Sequence, residues 1–453
     1  MNSKNTLLIL AVLLFTSQVW SLDLKTTPLF GVRGIAAENS EGVLIQGVLP
    51  QSTAAKMNLQ AGDVVTHFNR KKVTDFLQLI NLVQALKVGD DLAMQVRRGE
   101  QELSLTGNIL AKPQEHHQQF EIIYDVVAYK NNLLRSMVYK PQDIKEDEQR
   151  PALYYIQGYT CQSVDAALTP DLTMQQLLKE VVLNGYVVYK IEKFNVGDSA
   201  GDLKCSEIDF TQEMDGFLAG MKALKKYDFV DSDKVFVFGH SLGGVYAPVL
   251  AEKTKIRGIA VYGAVMKPWY DYLLDIFSEQ AIIFGTSTEQ AKNNVELIKP
   301  LLTAWLKSER SWHEIQNDDN LKTAFEANLL PVQGDQVFQR HYTFFRDLNQ
   351  YNLKQHWLDY SGKMLAMHGA FDIQAISEKW ATNLVNTINS KQPGSATYVN
   401  FANTDHGLMK YPTMQDLQTA MNSGTYNPAS PGSHYNAEVG RALVKWMQNV
   451  LEE

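Results

Sequence analysis

The 453-residue chain is poor in cysteine and contains no cluster of basic residues. Its net charge is −8, so it has no surplus of basic residues to neutralise phosphates, and we expect no nucleic acid among its partners. It contains no His-Glu-x-x-His run, and the adjacent His116 and His117 have no third ligand at helical or hairpin spacing. We therefore expect neither a metal nor another cofactor. An oxidising compartment would allow the two cysteines, Cys161 and Cys205, to pair.

Long apolar runs are also missing, apart from a short one near the start. Lys4 precedes apolar residues at 7–15, and small residues follow at the two positions that a signal peptidase inspects, Val19 and Ser21. This pattern predicts a signal peptide, 1–21, cleaved after Ser21, and hence an exported protein that is periplasmic or secreted. An uncleaved anchor is the alternative, but the run is well short of the roughly 20 residues that a membrane span needs. We expect no transmembrane span later in the chain.

Residues 28–110 alternate short strand patterns with glycine turns. Strands are predicted at 42–49, 63–68, 91–96 and 102–105, and a helix is predicted at 76–86. This is the pattern of a small β-rich domain with helices. Three runs in it, Leu29-Phe30-Gly31-Val32, 48–55 and 59–65, resemble those of a bacterial PDZ domain.

The PDZ resemblance implies a groove that adds an extended peptide or protein terminus as an extra strand. The backbone amides of Phe30, Gly31 and Val32 would receive the terminal carboxylate. The alternative is a PDZ module that only docks on its neighbouring domain.

After a polar segment at 111–119, which we interpret as a linker, strands and helices alternate over 120–453. Strands at 120–129 and 133–139 are predicted to form a hairpin. Buried strands are predicted at 151–156, 186–191, 234–238, 256–262, 363–367 and 397–401, and the clearest helices at 211–226, 246–255 and 438–451. The alternation is typical of an α/β fold, a mostly parallel sheet wrapped by helices. From about 266 to 360 the pattern is helical and rich in aromatic residues, so we expect a helical cap inserted over the carboxyl ends of the strands.

The pattern Gly-x-Ser-x-Gly places a serine in a strained strand-to-helix turn, where side chains two residues before and after would collide. It occurs twice, around Ser199 and around Ser241. A strand runs directly into Ser241, and a helix rich in small residues begins directly after it. Ser199 follows a loop, and further loop delays the next helix. The context therefore favours Ser241 as the nucleophile over Ser199.

Residues 120–453 resemble the α/β-hydrolase superfamily in its esterase, lipase and serine-peptidase branches, which order their catalytic residues Ser, Asp, His. Asp372 follows the strand at 363–367, and His406 follows the strand at 397–401. The resemblance implies that Ser241 attacks, that His406 shuttles the proton and that Asp372 orients and stabilises the imidazolium. Asp405 is a rival acid, and Asp347 and Asp359 in the cap are weaker ones.

His240 and His368 flank turns at strand ends, so we expect structural or pocket-lining roles for them. For the oxyanion hole, the resemblance implies the backbone amides of Leu242 and Tyr159. Gln157 stands where many relatives have histidine, which leaves the branch of the superfamily open.

In this fold the strands before Cys161 and Cys205 are neighbours, so the resemblance also implies a disulfide between two loops at the active site. Ser199 would then lie on a loop near the pocket and contribute polar contacts there.

The sequence thus predicts an exported, metal-independent serine hydrolase that cleaves a small-molecule ester through an acyl-enzyme. One alternative is a serine peptidase, aminopeptidase-like or prolyl-peptidase-like, with PDZ-assisted docking of its peptide substrate. Another is an inactive protein that functions through its PDZ groove. The same triad cleaves esters, thioesters and peptides, so the motif alone does not decide the substrate.

Overall fold

The structure is a computed structural model that describes residues 24–37, 41–430 and 434–453. The predicted signal peptide, 1–21, lies outside the described residues. None of the helices in the described ranges combines the length and the apolar character that crossing a bilayer requires.

The first part of the chain is a six-stranded antiparallel sheet with two helices. Its strand order is β1-β2-β3-β5-β6, with β4 paired to β3. The elements are β1 Val32–Ala36, β2 Val43–Val48, α1 Thr53–Lys56, β3 Val64–Phe68, β4 Lys71–Lys72, α2 Phe76–Gln84, β5 Asp91–Arg98 and β6 Gln101–Asn108. In β5 the alternate residues Leu92, Met94 and Val96 face the core, as the period of two predicts. Asp75 caps α2 by accepting a hydrogen bond from the Gln78 amide.

The second part is an eight-stranded sheet covered by helices on both faces. The elements before the cap are β7 Phe120–Tyr129, β8 Asn132–Pro141, β9 Arg150–Ile156, α3 Thr173–Leu183, β10 Val187–Ile191, α4 Phe210–Leu224, β11 Val230–His240, α5 Gly243–Lys253 and β12 Gly258–Tyr262.

The cap lies between β12 and the next strand of the large sheet. Its elements are α6 Trp269–Asp275, a π-helix Ile276–Gln280, α7 Ala281–Ile283, α8 Thr288–Leu306, α9 Trp312–Gln316, a 3-10 helix Asp319–Leu321, α10 Lys322–Glu326, β13 Val332–Gln333, β14 Gln336–Val337, β15 Arg340–His341, α11 Tyr342–Leu348 and α12 Leu353–Asp359. The short sheet β13-β14-β15 is absent from the sequence expectation, because strands of two residues show no periodicity. Trp305, Trp312 and Trp357 are fully buried, in a hydrophobic cluster that the cap shares with one face of the large sheet.

The large sheet is completed by β16 Lys363–Gly369, α13 Glu378–Lys391, β17 Ala396–Phe401, α14 Met414–Asn422 and α15 Ala437–Glu452. Its order is β17-β16-β12-β11-β9-β10-β8-β7, with β8 antiparallel to both neighbours and the other pairs parallel. The predicted fold class, a mostly parallel α/β sheet with a cap insertion behind a small β-rich domain, is confirmed. The carboxyl ends of β9, β11, β12, β16 and β17 meet at one edge of the sheet, which is where this fold binds ligands.

The segment at 111–119 is held against the second part of the chain. The Glu115 carboxylate accepts hydrogen bonds from Lys190 Nζ at 2.7 Å and from Gln175 Nε2 at 2.8 Å, and Lys112 pairs with Asp165 at 3.2 Å. His117 stacks on Phe120, and within the described ranges no three side chains are arranged to hold a metal ion.

Candidate active site

Ser241 sits in a sharp turn between β11 and α5. Its φ is +56°, in the left-handed region that non-glycine residues rarely adopt, and its amide donates to the Tyr262 carbonyl at 2.9 Å. A Cβ on Gly239 would lie 2.5 Å from the Gly243 backbone, and one on Gly243 would lie 2.0 Å from the Ile156 carbonyl oxygen. The turn therefore requires both glycines, and it presents the strained serine at the end of a central strand.

Asp372 and His406 form a hydrogen-bonded pair beyond β16 and β17. His406 Nδ1 donates to Asp372 Oδ2 at 2.8 Å, while the amides of Gln374 and Ala375 donate to Asp372 Oδ1, each at 2.8 Å. These bonds hold the carboxylate in one orientation. The bond at Nδ1 leaves Nε2 of His406 as the atom available to a substrate or to a serine hydroxyl.

Electrostatics favour a charged His406 beside a charged Asp372. Burial favours the neutral form of His406, but the neighbouring carboxylate outweighs burial and raises the pKa of His406 above its ordinary value. Burial also disfavours the charged form of Asp372, yet the charge and hydrogen bond of His406 hold the pKa of Asp372 below its ordinary value. The pair can therefore stabilise an imidazolium that forms during a reaction.

Ser241 and His406 line the same cavity, which has a volume of about 440 Å³. Within the described residues the Ser241 hydroxyl makes no hydrogen bond to the His406 ring. Such bonds are often long in the absence of substrate and tighten when it binds. The other residues that line the cavity include Tyr155, Gln157, Gly158, Tyr159, His240, Leu242, Gly263, Lys267, Trp269, Tyr272 and Gln374.

His240 also lines the cavity, and its Nε2 donates to the His406 carbonyl at 2.8 Å. Burial, with the nearby His406, lowers the pKa of His240 to about 4, so it is neutral and positions the His406 loop. His368 is buried, and burial lowers its pKa. Asp405, the rival acid, accepts a hydrogen bond from the Met409 amide at 2.7 Å. The His406 ring is hydrogen-bonded to Asp372 instead.

The cap carboxylates also lie apart from His406. Asp347 Oδ2 accepts hydrogen bonds from the amide and hydroxyl of Thr211. The Asp359 carboxylate accepts a hydrogen bond from Gln355 and forms a salt bridge with Lys391.

Ser199 is not among the residues that line the cavity. Its side chain turns inward, where Oγ accepts from the Arg135 amide at 2.9 Å in a buried position. In the structure the Ser199 loop closes against β8, and Ser199 contacts that strand.

The amides of Leu242 and Tyr159 both border the cavity. Leu242 is the N-cap residue of α5, and Tyr159 follows the end of β9. In the described part of the chain neither N–H donates to a protein acceptor. Gly158 lies against the serine, because a Cβ on it would be 3.2 Å from Ser241 Cβ. Two amides without a protein acceptor thus belong to residues that line the same cavity as the serine.

Two family models match the chain. The PDZ domain model matches residues 28–109, and the prolyl oligopeptidase family model matches residues 209–302, a stretch that contains Ser241 and the elements on both sides of it. The chain is a serine hydrolase with the α/β-hydrolase fold and a PDZ domain. Each model covers less than a quarter of it.

Curated relatives of the hydrolase are similar over short stretches. The periplasmic serine endoprotease DegP of Escherichia coli (strain K12) is 30% identical over 73 residues, which are 16% of this chain and 15% of that protein. The chloroplastic Protease Do-like 1 of Arabidopsis thaliana is 27% identical over 106 residues, 20% of this chain and 24% of that protein. The chain thus spans about a quarter or less of the length of these relatives.

Among solved structures, Est1E from Butyrivibrio proteoclasticus with ferulic acid bound is 15% identical, with a TM-score of 0.42, over 66% of this chain and 97% of that one. The esterase domain of a Rhodothermus marinus protein is 15% identical, with a TM-score of 0.40, over 73% of this chain and 99% of that one. The fold of the hydrolase follows from its own sheet order and from the family models.

The predicted disulfide is confirmed, since Cys161 and Cys205 are bonded with a Cα–Cα distance of 5.8 Å. Cys161 lies two residues after Tyr159, and Cys205 lies on the loop that precedes α4. The disulfide therefore ties the loop that carries the Tyr159 amide to a second loop of the hydrolase.

In the PDZ domain, Gly31 has a φ of +78°, its carbonyl accepts from the Leu49 amide, and a Cβ on it would lie 2.3 Å from Ser52 Cβ. Val32 then begins β1, which is the terminal strand of its sheet and lies beside α2. Phe30 is buried in the core of the domain. The loop thus leads into an open strand edge with a helix next to it.

Gly263 belongs to the site, and the sequence reasoning missed it. Its φ is +62°, and a Cβ on it would lie 2.8 Å from Asp372 Oδ2 and from His406 Nδ1. Its position directly after a buried strand was the available signal, because the chain must turn there in close contact with neighbouring loops.

Proposed function

We propose that the hydrolase is exported and cleaves carboxylic esters through an acyl-enzyme, with Ser241, His406 and Asp372 as its catalytic triad. The observation that carries the proposal is the strained turn at Ser241, which shares one cavity with a His406 ring already oriented by Asp372. Ser199, the serine of the second Gly-x-Ser-x-Gly run, has neither the positive φ nor a place in the cavity.

In the proposed reaction, Ser241 Oγ attacks the ester carbonyl carbon as His406 Nε2 takes its proton. The carbonyl oxygen becomes an oxyanion that the amides of Leu242 and Tyr159 stabilise. Collapse of the tetrahedral intermediate breaks the bond to the alcohol, which receives the proton from His406. Water then attacks the acyl-enzyme with His406 again as the base, which releases the acid and restores the serine.

The charge of the cavity favours an ester over a peptide with a free amino terminus. Among the described residues that line it there is no aspartate or glutamate, and the one lysine, Lys267, is ion-paired with Asp275 outside the lining. A buried substrate ammonium requires a carboxylate partner, because an unpaired charge is costly to desolvate. A neutral ester has no such requirement.

The runner-up is a serine peptidase, which the match to the prolyl oligopeptidase family model favours. Initial rates on a series of nitrophenyl esters and on aminoacyl and dipeptidyl anilides separate the two. We expect the short and medium esters to be turned over faster than every anilide. Faster turnover of the anilides would make the peptidase the function.

Covalent labelling identifies the nucleophile. A fluorophosphonate probe is expected to label the wild-type chain and Ser199→Ala, but not Ser241→Ala. Labelling that survives in Ser241→Ala and is lost in Ser199→Ala would move the nucleophile to Ser199.

For the PDZ domain, we propose that the edge of β1 beside α2 binds an extended peptide or protein terminus, with the Phe30, Gly31 and Val32 amides facing its carboxylate. Calorimetry on the full chain should show peptides with a free carboxylate binding more tightly than the same peptides ending in an amide. Equal affinities would reject the carboxylate loop.

Export is supported by the disulfide, which persists in oxidising compartments, and the similar protein DegP is periplasmic. Fractionation of the producing cells and mass spectrometry of the mature amino terminus test it. Cleavage after Ser21 is expected, and an intact amino terminus in the cytoplasmic fraction would contradict it.

A further inference from the structure

A group of three charged side chains is buried behind the loop that carries the Tyr159 amide. Lys193 and Glu213 pair at 2.9 Å, and Arg340 Nη2 pairs with Glu213 Oε2 at 2.7 Å. All three side chains are at most 1% exposed. Two cations against one anion leave a net positive charge of one on three buried side chains, and a buried charge is costly to desolvate.

Each cation also donates one hydrogen bond to the same loop. Lys193 Nζ donates to the Gly158 carbonyl at 2.6 Å, and Arg340 Nη1 donates to the Tyr159 carbonyl at 2.6 Å. These are consecutive carbonyls of the loop that borders Ser241. Arg340 belongs to β15 in the cap, so the cap contributes directly to the conformation of this loop.

The Gly158 carbonyl belongs to the same peptide group as the Tyr159 N–H. The described residues contain no cis peptide, and in a trans peptide the C=O and N–H bonds point in opposite directions. A donor that fixes the carbonyl on the buried side therefore aims the N–H at the opposite side, where the cavity and Ser241 lie. An ammonium bound to the carbonyl also polarises the peptide and strengthens its N–H as a donor.

We propose that Lys193 is a positioning residue of the oxyanion hole, which it acts on through the Gly158–Tyr159 peptide, with Glu213 and Arg340 holding the ammonium and the following carbonyl in place. The inference rests on the proposed function, because it assigns a task to the Tyr159 amide in ester cleavage. The uncompensated positive charge of the cluster adds to the effect, since it lies behind the position where negative charge develops.

Lys193 is suited to substitution because of the charges around it. Lys193→Met removes the excess charge and leaves Glu213 and Arg340 as a neutral pair, so no buried charge is left alone. Burial lowers the pKa of Lys193 to about 8 against the opposing effect of Glu213, so the ammonium is present in the wild-type chain at neutral pH.

A matched control is Lys190→Met. Lys190 is also 1% exposed in its side chain and ion-paired, but it bonds Glu115, Gln175 and the Val164 carbonyl rather than Gly158 or Tyr159. Its substitution tests what the loss of a buried lysine does in general. We expect it to lower stability while kcat stays within about threefold of wild type.

The experiment measures kcat and KM on a nitrophenyl ester, together with the inhibition constant of a boronic acid that forms a tetrahedral adduct with the serine. Removal of an oxyanion donor costs about 10²- to 10³-fold in kcat, and here the donor is loosened, so Lys193→Met should lose about 10- to 100-fold. KM should change by less than about threefold, and boronate affinity should fall in proportion to kcat, because both depend on the tetrahedral state.

A folded Lys193→Met with wild-type kcat, a change confined to KM, or an equal loss of kcat in Lys190→Met would each overturn the inference. If Lys193→Met does not fold, Arg340→Met decides, since it leaves Lys193 and Glu213 as a neutral pair but releases the Tyr159 carbonyl. It should lower kcat selectively, and wild-type kcat in it would overturn the inference. An active Ser241→Ala would instead overturn the proposed function itself.

Discussion

The contact of Gly263 with the His406–Asp372 pair leads to a sharp prediction. A Cβ on Gly263 would lie 2.8 Å from His406 Cε1 and Nδ1 and from Asp372 Oδ2. Carbon atoms pack at about 3.5 Å or more, so in Gly263→Ala the imidazole or the carboxylate must move by about 0.7 Å. A displacement of about 1 Å at a reacting group costs about 100-fold in rate, so we expect kcat/KM to fall by about that factor.

The substitution also has a backbone cost, because Gly263 has a φ of +62°. An alanine in this region is disfavoured by about 1–2 kcal/mol, which should appear as a lower free energy of unfolding. Gly334→Ala is the matched control, since Gly334 has a φ of +57° but no atom within 4 Å of its Cβ position. It should lose similar stability and keep its ester hydrolysis within about twofold.

Rates on a nitrophenyl ester and urea unfolding of both variants provide the test. The reasoning is refuted if Gly263→Ala is destabilised like Gly334→Ala and yet keeps wild-type kcat/KM. In that case the His406–Asp372 pair either tolerates the displacement or takes no part in the reaction.

Three further predictions concern other contacts of the hydrolase. His406 must be neutral to act as a base, and Asp372 raises its pKa, so kcat/KM should rise with pH through a midpoint above 6.5. In a pH–rate profile, Asp372→Asn should lower both the rate and that midpoint. Replacing Cys161 and Cys205 together by serine opens a loop of 44 residues and should lower the free energy of unfolding, measured in urea, by about 4 kcal/mol. An unchanged free energy of unfolding would contradict this prediction. Glu115→Ala removes the carboxylate partner of the buried Lys190 ammonium and should lower the free energy of unfolding by about 3–5 kcal/mol. A decrease below about 1 kcal/mol would show that the 111–119 segment is not anchored.

The sequence predicted most of the large sheet because its strands are buried on both faces. Parallel strands covered by helices have continuous apolar runs, and the runs at 151–156 and 363–367 lie within β9 and β16. The two-residue strands of the cap have no such signal. β1 is only partly buried and contains Gly34, so only its start was recognised, from the PDZ resemblance.

The two Gly-x-Ser-x-Gly runs show what a motif does and does not specify. Around Ser241 the positive φ falls on the serine itself, whereas around Ser199 it falls on the flanking Gly197 and Gly201. In the run around Ser199 the serine hydroxyl is buried and accepts a hydrogen bond from the Arg135 amide. The order of elements distinguished the two serines, but the direction of the Ser199 side chain depends on a strand more than 60 residues away.

The contacts of Lys193 and Arg340 could not be predicted from the sequence either, because they join α4, the cap and the segment after β10 to the loop after β9. Together with the disulfide at Cys161, they hold the loop after β9 at three successive points: the Gly158 carbonyl, the Tyr159 carbonyl and the Cys161 sulfur. An oxyanion hole needs donors that are already oriented before charge develops, since reorientation during the reaction would consume part of the stabilisation. A loop that two hydrogen bonds and a disulfide hold in place, with an N–H that has no protein acceptor, meets that requirement. Removing any one of these three contacts should therefore lower the rate of acylation more than it lowers the affinity for the ester.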